Sequence, residues 1–161
     1  VGSLAAGVLA GFQNISQKNK PKFIVVEPSG APCLYESMKL RHGKPYRVRG
    51  DLPTIMAGLA CGEPSILGLK ILKSGARAFI KCSDHVARRG MKILGNALPG
   101  DESIISGESG AVTLGLVYEL LSNKRFRLIK NELDITKDAK ILLFSTEGDT
   151  DPDSYNKIIR S

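Results

Sequence analysis

Three short runs in this 161-residue chain gather groups that could hold a small anionic ligand. Val1-Gly2-Ser3-Leu4 sets a glycine and a hydroxyl at the head of a segment rich in alanine and glycine. Glycine lets backbone approach a ligand closely, and a helix starting there turns unpaired N–H groups and its positive dipole end toward an anion. A phosphate would suit it, although the same pattern also serves as an ordinary turn into a helix. Ser106-Gly107-Glu108-Ser109-Gly110-Ala111 places serines and glycines around a carboxylate at another helix start, where simple capping is the plain alternative. Phe144-Ser145-Thr146-Glu147-Gly148-Asp149-Thr150-Asp151-Pro152 ends an apolar run in hydroxyls and then acids. Ser145 and Thr146 could bond the edge of a ring lying over a sheet. The acids could take a hard cation or stand solvated in a capped turn, and they do not follow the EF-hand spacing.

Other reactive types are sparse. Cys33, Cys61 and Cys82 form neither a CxxC pair nor a Cys/His metal spacing with His42 and His85, so no metal site is expected. Three thiols without a secretory signal fit a reducing, cytoplasmic setting and read as free, partly buried cysteines. The net charge of +7 gathers in Lys39, Arg41, Lys44, Arg47 and Arg49, and in Lys124, Arg125, Arg127 and Lys130. Neither cluster interleaves aromatics or matches a nucleic-acid motif, so solvated faces are expected and no nucleic-acid partner. No apolar run approaches the roughly 20 residues of a membrane span.

The elements that must position these runs alternate. The opening run enters a helix packed by small residues, and residues 16–21 form a polar loop. Apolar residues 22–26, ended by Glu27-Pro28, read as a buried strand, and residues 33–41 as a helix. A short strand is expected at 46–48, a helix at 65–73 ended by Gly75, and a strand at 78–82. Ser83 or Asp84 then caps a helix running toward Gly95, and another spans 109–121. A last strand is expected at 140–144 and a terminal helix near 154–159. Strand and helix in alternation give an α/β class, a three-layer sandwich with a mostly parallel sheet, read as one compact unit with no repeat or linker.

The motifs also carry a family resemblance. Asp51-Leu52-Pro53-Thr54-Ile55-Met56-Ala57-Gly58-Leu59-Ala60-Cys61-Gly62-Glu63-Pro64 resembles the signature stretch of diaminopropionate ammonia-lyases. So do the run from Ser106 to Gly115 and the run from Ser145 to Pro152, in the expected order, while the opening run resembles the family's phosphate loop. That family has the tryptophan synthase β-like fold of pyridoxal-phosphate enzymes. The resemblance implies elimination of ammonia from 2,3-diaminopropionate to give pyruvate, with pyridoxal 5'-phosphate as cofactor, in an enzyme that is a homodimer when whole. It implies that Gly2, Ser3 and Leu4 meet the cofactor phosphate, that Ser145, with Thr146 a close second, meets the pyridine nitrogen, and that Glu108 lies near the ring.

The family's Schiff-base lysine and proton-moving acids lie upstream of the matching stretch, and no lysine here sits in a matching motif. Residues 1–161 are therefore expected to be the C-terminal part of the cofactor-binding catalytic domain, with no catalytic residue of their own and no turnover alone. The missing strand before Val1 points the same way. Cys33 and Cys61 could come together as a disulfide near the cofactor. Rival readings are a serine/threonine dehydratase-like or β-replacement enzyme of the same fold, and a non-catalytic phosphate- or nucleotide-binding module. In the last, Glu27 would supply the acid that a dinucleotide turn needs about 20 residues on.

Overall fold

The computed structural model describes residues 1–15, 21–40 and 44–161. Most of the expected polar loop, and Arg41 and His42, lie outside the described residues. Instead of one compact unit the chain forms two, Val1–Thr54 with Gly58–Lys81 and Ile55–Ala57 with Cys82–Ser161. Among the described residues one cluster of buried apolar side chains lies within the first unit and another within the second.

In the first unit α1 (Ser3–Ile15) buries Ala6 and Leu9. Strand β1 (Phe23–Pro28) pairs with β2 (Ala76–Cys82) in a two-stranded parallel sheet. Between them run α2 (Cys33–Lys39) and α3 (Ile66–Gly75), the kind of crossover that parallel pairing requires. The Ser65 side chain begins α3 by accepting a hydrogen bond from the Gly68 N–H, satisfying a donor that the first helical turn leaves open. Leu69 and Leu72 then meet Ala6, Leu9, Val25, Cys33 and Leu34 in one core.

The second unit is helical: α4 (Asp84–Gly95), α5 (Glu108–Ser122), α6 (Arg127–Glu132) and α7 (Pro152–Arg160). Helices α4 and α5 cross at two glycines. A Cβ on Gly90 would strike the Ala111 carbonyl and one on Gly115 the Val86 carbonyl, so these positions admit hydrogen alone. Helix α7 starts on the Asp151 side chain, which accepts from the Ser154 N–H, and has proline in its first turn. It buries Tyr155 and Ile158 against Met91 and Ala111.

The α/β class with a parallel sheet stands, but two expected strands do not form a ladder. Residues 46–48 are irregular, the Tyr46 N–H donating to the Ser37 hydroxyl at 2.8 Å and the Val48 N–H to the Gly62 carbonyl at 2.8 Å. Residues 140–144 have no strand beside them among the described residues, and Ile141, Leu142 and Phe144 stay exposed. An apolar run can favour extended backbone, but a strand also needs a neighbour to share its hydrogen bonds. Conversely, Lys124, Arg125, Arg127 and Lys130 lie on a 3-10 turn (Lys124–Phe126) and α6, elements for which the sequence carries no clear periodic signal. Lys124, Arg125 and Arg127 are exposed there, and the Arg125 guanidinium stands 4.5 Å from the centre of the Phe126 ring.

Candidate cofactor site

In the first unit, the opening turn depends on Gly2. Its φ of +95° is a conformation that residues with a side chain seldom adopt, and a Cβ there would sit 3.2 Å from both Leu34 methyls. The Gly2 carbonyl accepts the first bond of α1, from the Ala6 N–H at 2.9 Å. The amides of Ser3, Leu4 and Ala5 therefore have no carbonyl within their own helix. Val1 anchors the turn, its carbonyl accepting from the Ser65 N–H at 2.8 Å. Ser3 and Leu4 are exposed. An exposed helix start with free amides could hold a phosphate.

Glu27, at the end of β1, is buried, with 3% of its surface exposed. One carboxylate oxygen accepts from the Leu34 N–H at 2.9 Å and the other from the Tyr35 N–H at 2.6 Å. The Cys33 thiol donates to the same carboxylate from 3.7 Å. Burial pushes the Glu27 pKa up, and those backbone bonds pull it partly back. A carboxylate turned inward to cap α2 cannot also serve a ribose, which removes the acid that a dinucleotide turn would need.

The second unit brings the other two runs together. Ser145 and Ser106 are 39 residues apart in sequence, yet their hydroxyl oxygens lie 2.8 Å apart. Ser106 is completely buried and Ser145 is exposed. The Glu147 carboxylate accepts from the Ser109 N–H at 2.6 Å, and its carbonyl accepts from the Gly107 N–H at 3.2 Å. The expected local cap of α5 is thus supplied from the third run. The approach is close enough that a Cβ on Gly110 would lie 2.8 Å from Ser106 Oγ and 3.0 Å from Thr146 N. Glu108 is the first residue of α5.

The acids of the third run are thereby accounted for. Glu147 starts α5 and Asp151 starts α7. Burial raises the Tyr155 pKa, Asp149 adds to that rise, and a backbone hydrogen bond from Ser106 lowers it. Among the described residues no group of three side chains could hold a metal ion.

Sequence alone does not mark Ser106 and Glu147 as partners of the opposite runs, because no spacing rule links positions that far apart. The Ser109 hydroxyl is buried without a partner among the described residues. That orphan hydroxyl and the exposed Ser145 hydroxyl are groups able to meet the polar edge of a heteroaromatic ring. Gly2, Ser3 and Leu4 offer backbone able to meet a phosphate, so the chemistry present in each unit fits a phosphorylated pyridine cofactor.

The signature stretch spans both units. Leu52 is held at φ +48°, a left-handed conformation uncommon outside glycine. The Ile55 N–H donates to the Asp84 carboxylate at 3.1 Å, and Met56 is fully buried. Cys33, Cys61 and Cys82 are all free thiols, so the pairing of Cys33 with Cys61 is not formed. Burial pushes the thiols of Cys33 and Cys82 up to about 12.

Comparison with known proteins gives this chemistry a family. Diaminopropionate ammonia-lyase of Salmonella typhimurium is 47% identical over 160 residues, covering 99% of this chain and 40% of that protein. The crystal structure of Escherichia coli diaminopropionate ammonia-lyase in complex with D-serine superposes with a TM-score of 0.87 at 40% identity, covering 99% of this chain and 39% of that one. Threonine deaminase isoform 2 of Solanum lycopersicum shares the fold, with a TM-score of 0.75 over 99% of this chain and 39% of its own, at 19% identity. The chain thus spans about 40% of the length of the curated relatives it matches. The model of the family described as "Pyridoxal-phosphate dependent enzyme" matches residues 1–127 of the 161. With that family covering most of its length, the chain belongs to the pyridoxal-phosphate dependent enzymes.

Proposed function

We propose that residues 1–161 are the C-terminal part of the cofactor-binding catalytic domain of a lyase that eliminates ammonia from 2,3-diaminopropionate, giving pyruvate and ammonia. The 47% identity to a diaminopropionate ammonia-lyase across 99% of the chain carries this reading. The dehydratase reading has only a shared fold behind it, at 19% identity.

In this assignment the N–H groups of Gly2, Ser3 and Leu4 hold the cofactor phosphate. Ser145, with Thr146 beside it, bonds the pyridine nitrogen, and Glu108 orients the ring edge. Pyridoxal phosphate, when bound, supplies the electron sink for chemistry at the substrate's α-carbon. A hydroxyl at the pyridine nitrogen can donate to a neutral ring, where an aspartate would hold it protonated. The milder sink favours prompt loss of the β-amino group. The Schiff-base lysine comes from outside residues 1–161, which alone turn over nothing. The whole enzyme acts in amino-acid catabolism as a cytoplasmic homodimer, a setting with which three free thiols agree.

The test is product analysis with the whole enzyme. Pyruvate and ammonia from 2,3-diaminopropionate are expected. Turnover of serine or threonine with none of 2,3-diaminopropionate would replace this reading with the dehydratase one. Ser145→Asp should change the absorption spectrum of the bound cofactor, and an unchanged spectrum would remove Ser145 from the ring nitrogen.

A further inference from the structure

We infer that Ser106, through its hydroxyl, is a positioning residue that turns the Ser145 hydroxyl outward as a hydrogen-bond donor. It thereby sets the protonation of the heteroaromatic nitrogen that Ser145 meets. This rests on Ser145 being the ring-nitrogen partner, as proposed above.

The argument is one of accounting for protons. Ser106 is fully buried, so its hydroxyl proton cannot be given to bulk water. Among the described residues two acceptors are near it: Ser145 Oγ at 2.8 Å and the Gly107 carbonyl at 3.5 Å. The second is at the outer limit of a hydrogen bond and the first is at the ideal separation for two hydroxyls. If Ser145 donates to Ser106, the buried proton is left with the poor acceptor. If Ser106 donates to Ser145, the buried proton is satisfied and the Ser145 proton is released. The nearest protein acceptor then left to Ser145 is the Glu147 carbonyl, also at 3.5 Å. A ring nitrogen with a free lone pair would complete the chain, Ser106 donating to Ser145 and Ser145 to the ring. Hydroxyl protons rotate to suit their surroundings, so the second sense forms when such an acceptor arrives.

The packing holds Ser106 in that role. It is fully buried beside Gly110, where only the absence of a Cβ (it would come within 2.8 Å of Ser106 Oγ) lets the hydroxyl sit against the start of α5. The titratable groups around the pair are Glu147 and Glu108 at the start of α5, with Tyr155 on α7 and Asp149 before it. All four remain in the variants below, so their contribution is common to every arm.

A double-mutant cycle in the cofactor-loaded whole enzyme tests the inference, following the cofactor's absorption spectrum against pH rather than turnover. Ser106→Ala should raise the pH at which the ring nitrogen protonates by about half a unit to one unit, the size expected for one supporting hydrogen bond. Ser106→Thr, which keeps the hydroxyl, should return the midpoint toward the parent value. In a Ser145→Ala background, Ser106→Ala should have no further effect, because its route to the ring is gone. An equal Ser106→Ala shift in both backgrounds, or no shift with Ser145 intact, would overturn the inference while leaving Ser145 at the ring. No spectral change on Ser145→Ala alone would overturn the inference together with the reading it rests on.

Discussion

The crossing of α4 and α5 allows a stability prediction whose sign is set by geometry. Alanine normally stabilises a helix interior over glycine by about 1 kcal/mol. At Gly115 the added carbon would meet the Val86 carbonyl, and at Gly90 the Ala111 carbonyl. Both obstacles are backbone on the facing helix, so no side-chain rotation can relieve them. Overpacking of this kind costs about 1–3 kcal/mol, and a backbone obstacle belongs at the upper end. Subtracting the propensity gain leaves Gly90→Ala and Gly115→Ala each destabilising by about 1–2 kcal/mol. The controls are Gly7 and Gly11 of α1, where nothing lies within 4 Å of an added Cβ. There the propensity term acts alone, and Gly→Ala should stabilise by up to about 1 kcal/mol. Urea unfolding measures both, as shifts of the midpoint in opposite directions at unchanged slope. A Gly115→Ala protein as stable as its parent would refute the reasoning, because α4 and α5 would then have room that these backbones deny.

Two further expectations concern buried titratable groups. Glu27 has its pKa raised, so its folded-state contribution is full below the ordinary carboxylate range and is lost as pH rises through the raised value. Glu27→Gln sets an amide NH2 against a backbone N–H, which should cost about 1–3 kcal/mol at acid pH. The non-titrating variant should close part of that gap toward neutrality, so urea midpoints that diverge with rising pH would contradict the sign. Among the thiols, Cys61 has its pKa lowered, chiefly by a backbone hydrogen bond with Glu63, whereas Cys33 and Cys82 are buried and stand near 12. Maleimide labelling followed by mass analysis should therefore find Cys61 modified first and the other two only after unfolding. Masses taken with and without reductant should agree, and a two-dalton difference (roughly the loss of two hydrogens on pairing) would show a disulfide instead.

Local signals identified several elements closely. The apolar run before Glu27-Pro28 became β1, and Ser65 and Gly75 bracket α3 as a cap and a stop should. The expected helices at 109–121 and 154–159 became Glu108–Ser122 and Pro152–Arg160. Periodicity and caps succeed there because the groups that decide the structure lie within a few residues of one another. Residues 140–144 show the limit of that rule: their composition favours a strand, but a ladder depends on a neighbour that composition does not name.

The site divides along the same line. Sequence alone determined that Gly2-Ser3-Leu4 heads a helix, that glycines and serines flank Glu108, and that hydroxyls precede the acids after Phe144, and these ordered motifs carried the family resemblance. Only the tertiary structure decided which groups meet. It set Ser106 against Ser145, gave α5 its cap from Glu147, turned Glu27 inward onto α2, and pressed α4 and α5 together at two glycines. A hydrogen bond acts over about 3 Å, whereas Ser106 and Ser145 stand 39 positions apart in the chain. Pairing them is the work of the packed helices between, and no motif confined to either run records it.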